Sequence, residues 1–92
     1  MKNRYEFLES SGKLLGGDRE DEYGDARENF TRIADLWSPV LSIEITTTQV
    51  ALCLALLKIS RLSHNTTHQD LWLDLVGYAA LGGEMSNDPY GE

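Results

Sequence analysis

Residues 50–57 read Val-Ala-Leu-Cys-Leu-Ala-Leu-Leu, with no charged or hydroxyl side chain among them. Thr46 followed by Gln49 has the spacing of a capping box, and the pattern predicts a helix over residues 47–62. Wound as a helix, the apolar stretch has no solvated stripe in its first two turns, and a helix that is apolar all round must be covered all round. It falls far short of the roughly 20 residues that span a bilayer, so its cover must be protein. The other helices of a 92-residue chain are too short and too few to supply it. The expectation is that part of this helix packs against another copy of the chain. Cys53, inside the run, reads as a small buried residue.

Polarity returns at Lys58, Ser60 and Arg61, and the loop 63–66 leads to a cap at Thr66 or Thr67. A last helix over 67–81 is also mostly apolar, and Gly82-Gly83 reads as its end. So short a link makes the two helices an antiparallel hairpin. Upstream, residues 4–15 predict a helix with Tyr5, Leu8 and Leu15 on one face, closed by Gly16-Gly17. A charged loop over 18–23 and a turn at Gly24 follow. Asp25 and Glu28 look like the start of a second helix. Phe30, Ile33, Ala34 and Trp37 give that helix one apolar stripe, Glu28 and Arg32 stand at ion-pair spacing, and Pro39 should end it near Ser38. Residues 40–45 alternate like a strand but have no partner strand, and read as a buried connector. The expected architecture is therefore all-α: one domain over 1–84, a bundle of about four helices with a C-terminal hairpin, oligomeric, and a disordered tail over 85–92.

The charge is −7, and the eight basic residues are scattered. That disfavours binding along a nucleic-acid backbone. One cysteine cannot form an internal disulfide, and no signal-like or membrane-spanning run is present, so a cytoplasmic setting is expected, that of the host if the chain is phage-encoded.

The residues most able to carry chemistry lie on the hairpin. Asp70 and Asp74, at i and i+4, share one helix face. Lys58 and Arg61 end the preceding helix beside them. Charges on such apolar helices need partners, because unpaired burial is costly. Either the acids and bases pair, or they form the hairpin's one solvated stripe, or they line a site where the aspartates hold a divalent cation and the cations meet phosphate oxygens. His64 and His68 flank the loop, too few for a metal shell but able to touch phosphate. Asn29, beside Glu28, sits where a polar turn feeds a helix N-terminus, a place that attracts anions. Trp37 and Trp72 lie on apolar faces and read as core. No glycine-rich phosphate loop and no nucleophile motif occurs.

Taken in order, Tyr23-Gly24-Asp25, Glu28-Asn29-Phe30, Ile33-Ala34-x-Leu36-Trp37, Val50-Ala51, Leu57-Lys58-Ile59-x-Arg61-Leu62 and Asp70-x-Trp72-x-Asp74-Leu75-x-Gly77-Tyr78-Ala79 resemble a family of small phage and prophage proteins of unassigned function. More distantly, the pattern is similar to phage nucleotide-modification-associated domains and to MazG-like all-α nucleoside triphosphate pyrophosphohydrolases. That second resemblance implies a dimer or tetramer, with Asp70 and Asp74 as the late acidic pair and Lys58 and Arg61 as phosphate contacts. The expected site then has Mg²⁺ at Asp70, Asp74 and Glu28, and a nucleotide touched by Lys58, Arg61, Asn29, His68 and Tyr78. The pyrophosphohydrolases carry an E-x-x-E pair on the helix facing their late acids, whereas residues 47–62 here contain no acid. The leading expectation is a phage-type protein that binds a nucleotide or related phosphate, with Mg²⁺-dependent hydrolysis as its furthest form. The alternative is a non-enzymatic inhibitor or sponge that sequesters a signalling nucleotide or blocks a host protein. A purely structural accessory subunit is the third.

Overall fold

The computed structural model describes residues 2–17 and 25–87. Within them the protein is all-α: α1 (Arg4–Gly16), α2 (Ala26–Leu41), α3 (Thr47–His64) and α4 (Gln69–Met85). α3 and α4 fold back on each other as the main packing unit, with α1 laid on α4 and α2 on α3. No helix among the described residues is long and apolar enough to cross a membrane. The charged loop over 18–23 and the Gly24 turn lie outside the described residues, as does most of the expected tail.

Local chemistry explains two of the helix starts. Asn3 and Glu6 exchange side-chain and backbone hydrogen bonds at the head of α1, and Thr46 and Gln49 do the same at the head of α3. The capping box at Thr46 is the one the spacing predicts. The core gathers Phe30 and Ala34 from α2, Val50 and Ala51 from α3, and Met85 from α4, with Ile33, Trp37, Leu54 and Tyr78 packed against it. The α2 stripe of Phe30, Ile33, Ala34 and Trp37 is thus the face that packs.

α1 docks by a different route. Tyr5 and Leu8, expected to face inward, are 67% and 60% exposed, and the buried residue of α1 is Ser11. Its hydroxyl donates to the Leu73 carbonyl at 3.2 Å. Gly77 faces the same point: a Cβ there would stand 3.4 Å from Ser11 Oγ and 3.6 Å from Leu15 Cδ2. A small residue on each helix permits the approach, and Leu15, from the expected face, packs beside it.

Several boundaries move from where the sequence puts them. α2 runs through Pro39 to Leu41. Proline removes one helical hydrogen bond there, but Ser38 holds the turn by donating to the Ala34 carbonyl at 2.7 Å and accepting from the Ile45 amide at 2.9 Å. Ser42, at φ 59°, takes the left-handed conformation that ends the helix. The connector is mostly in water, with Val40 and Ile43 exposed and Ile45 packing inward. Glu28 and Arg32 do not pair; Arg32 donates to Asn29 instead.

α4 begins at Gln69 rather than Thr67 because the Thr67 amide and hydroxyl both donate to Asn65 Oδ1, which closes a local turn. At its other end α4 continues through Gly82-Gly83 to Met85. Two helical glycines cost about 2 kcal/mol relative to alanine. Burying a methionine side chain returns about 1.5–3 kcal/mol, and Met85 is 1% exposed. Gly82 also contributes, because a Cβ there would come within 3.1 Å of Ala51 Cβ. Met85 is therefore a core residue, not the opening of a tail. Cys53, expected in the core, is exposed.

Candidate functional site

A groove of about 660 Å³ runs between the C-terminal half of α1, the start of α2 and the middle of α4. Its walls are apolar, with Leu15, Ile33 and Leu54 among them, and its polar side chains are Ser11, Asp25, Asn29, Asp74, Tyr78 and Glu84. The helical register of α4 sets the α4 members. Asp74, Tyr78, Leu81 and Glu84 fall at i, i+4, i+7 and i+10, one face of the helix.

Behind the groove Lys58 reaches across the hairpin. Its Nζ sits 3.1 Å from Asp74 Oδ2, with the two side chains 12% and 18% exposed. The same ammonium lies 5.9 Å from the centre of the Tyr78 ring, within cation–π range. Tyr78 is tilted against Phe30, with centroids 6.3 Å apart. The expected pairing of hairpin acids and bases is therefore half present. Lys58, Asp74 and Tyr78 form one cluster, and Asn29 joins it on the groove wall.

The other candidates stand elsewhere. Arg61, Asp70, His64, His68 and Glu28 are exposed, and none of them lines the groove. Asp70 is one turn before Asp74, and that turn carries it past the end of the groove to the solvent. His68 occupies the N-cap position of α4 without a side-chain hydrogen bond to the helix. Trp72 is 40% exposed, its indole N–H donating to the Thr66 carbonyl at 2.9 Å. Among the described residues, no three His, Cys, Asp or Glu side chains gather as a metal site would need. Asp70, Asp74 and Glu28 do not stand together as one such group.

Two groove residues were not legible as such. Asp25 reads as a helix cap, yet its side chain makes no capping hydrogen bond and lines the groove instead. Glu84 follows the glycines that seemed to end α4, which hid its register with Asp74 and Tyr78.

Residues 6–86 match the family described as Domain of unknown function (DUF6378). The chain belongs to that family. Its relatives include the Gene 55 protein of Mycobacterium phage L5, 41% identical over 80 residues that make up 86% of this chain and 51% of that protein. The Gene 55 protein of Mycobacterium phage D29 is 38% identical over 83 residues, 90% of this chain and 55% of that protein. The chain spans about half the length of these curated relatives. No solved structure matches it. This DUF6378 chain is thus a phage gene 55-like protein, in keeping with the phage resemblance of its motifs.

Proposed function

We propose that this chain binds a nucleotide in the groove between α1, α2 and α4 and does not hydrolyse it. The observation that carries the reading is the Lys58–Asp74–Tyr78 cluster, largely withdrawn from water, opening onto a cavity in the usual size range of small-ligand sites. Apolar walls and the Tyr78 ring suit a flat base. The Asn29 amide can pair with a base edge, and the carboxylates of Asp25 and Glu84 can accept from amino or ribose hydroxyl groups. Three carboxylates at the groove do not attract bare phosphate, so the nucleoside end is the part recognised. Hydrolysis is left out because α3, which faces Asp74, carries no acid of its own, whereas the pyrophosphohydrolases place an E-x-x-E pair there.

Titration calorimetry with nucleosides and their mono-, di- and triphosphates, with and without Mg²⁺, tests this. The expected result is saturable binding with similar affinity for a nucleoside and its phosphates. Tyr78→Ala and Asn29→Ala should each weaken it about tenfold, the equivalent of one lost hydrogen bond or ring contact. No binding across the panel removes the reading, and product formation overturns its non-hydrolytic part.

A second reading rests on the groove's charge. Among its described lining residues Asp25, Asp74 and Glu84 are acidic and none is basic, which suits a basic segment of a host protein. A stoichiometric host protein retained by the wild type and lost with Asp25→Asn/Glu84→Gln, with no nucleotide bound, selects this reading.

A further inference from the structure

Along the outer side of α3, Gln49, Leu52, Leu56, Ile59 and Ser63 recur at alternating spacings of three and four, the period of a coiled-coil seam. Leu52 and Leu56 are 60% and 61% exposed and Ile59 is 45% exposed. Cys53 and Leu57 border them, also exposed. The charged residues of the helix, Lys58 and Arg61, fall on the opposite side of the wheel, and Lys58 is held at Asp74.

We infer that two copies of this chain pair through this seam, antiparallel about a twofold axis near Leu56. The seam is its own complement. Its polarity runs polar, Leu, Leu, Ile, polar, with Leu56 at the middle of residues 49–63. Reversal places Gln49 level with the partner's Ser63 and Leu52 within one residue of the partner's Ile59. An isologous contact requires this kind of match between a patch and its own inverse. The area agrees. Four to five such half-exposed side chains and their polar flanks bury roughly 500 Å² per copy, a total of about 1,000 Å², the lower bound for a specific interface. An interface of that size is small enough to be reversible. Because each copy carries −7, added salt screens the repulsion and tightens the pair, the opposite of an interface built on ion pairs.

Sedimentation equilibrium on the full chain reads the result. The expected outcome is a monomer–dimer equilibrium whose dissociation constant falls severalfold between low and moderate NaCl. Leu56→Glu should give a monomer with an unchanged helical circular dichroism spectrum. Leu36→Glu, at a 70% exposed leucine carried by α2 and not by the seam helix, should leave the dimer intact. Cys53 reports the seam itself: three residues before Leu56, it lies about 9 Å along the axis from its mate in the antiparallel pair. A short bis-maleimide should link the copies, and Cys53→Ser should not be linked. A wild type monomeric at several hundred micromolar overturns the inference, as does a Leu56→Glu protein that still dimerises.

Discussion

Within one helix, α3, Val50 and Ala51 are almost wholly buried against α2 and α4 while Leu52 and Leu56, a fraction of a turn away, stand in solvent. The two faces are equally greasy in the sequence. What separates them is supply: α2 and α4 cover one side of the helix, and among the described residues no further element covers the other. The covered half anchors the core and carries Lys58 to Asp74. The uncovered half adds nothing to the fold of one copy. Apolar composition in a small helical protein thus marks what must be covered, and the count of neighbours decides how much of it is core.

The comparison breaks most visibly at Met85. Met85→Ala should lower unfolding stability by about 2–5 kcal/mol in urea denaturation. Leu56→Ser, measured at a concentration where the chain is monomeric, should change it by less than about 0.5 kcal/mol. Equal effects would mean that the two faces do not differ as described.

Lys58 and Arg61 sharpen the contrast between paired and solvated charge on the same helix. Lys58→Met withdraws the cation from a carboxylate that is 18% exposed and should cost about 1–3 kcal/mol. Arg61→Met, at an exposed position, should stay within about 0.5 kcal/mol. Thermal unfolding of both variants checks the ordering.

The smallest effect concerns the two glycines of α4. Gly83 has open space where a Cβ would go, so Gly83→Ala should stabilise by up to about 1 kcal/mol through helix propensity. Gly82→Ala should gain less or lose, because its Cβ would stand 3.1 Å from Ala51 Cβ. Chemical denaturation of the pair measures the difference.

Much of the fold was legible in the residues. The capping box at Thr46, the α2 stripe and the hairpin follow from spacing alone, since each depends on neighbours within a few positions. The docking of α1 was not, because it depends on Ser11 meeting Gly77 and the Leu73 carbonyl across the chain. The end of α4 was hidden for the same reason: glycine propensity is local, whereas the burial of Met85 is tertiary. In the site, Lys58 and Asp74 were readable as members of one set of four charges, because the short link brings the two helices side by side, but not as the pair they form. Asp70 and Arg61 share the same periodicity but lie outside the reach of α1 and α2, and only the packing separates them from the groove. Asp25 and Glu84 were masked by more ordinary roles as a cap and as a residue past a helix end.

The most direct test of the division between the two faces is a ¹H–¹⁵N correlation spectrum of the labelled chain, kept dilute and titrated with a nucleoside monophosphate. The account predicts shifts confined to the groove, at Asn29, Asp74, Tyr78 and Glu84, with Leu52, Leu56 and Ile59 unmoved. Shifts centred on the outer face of α3, or no shifts at saturating ligand, would contradict it.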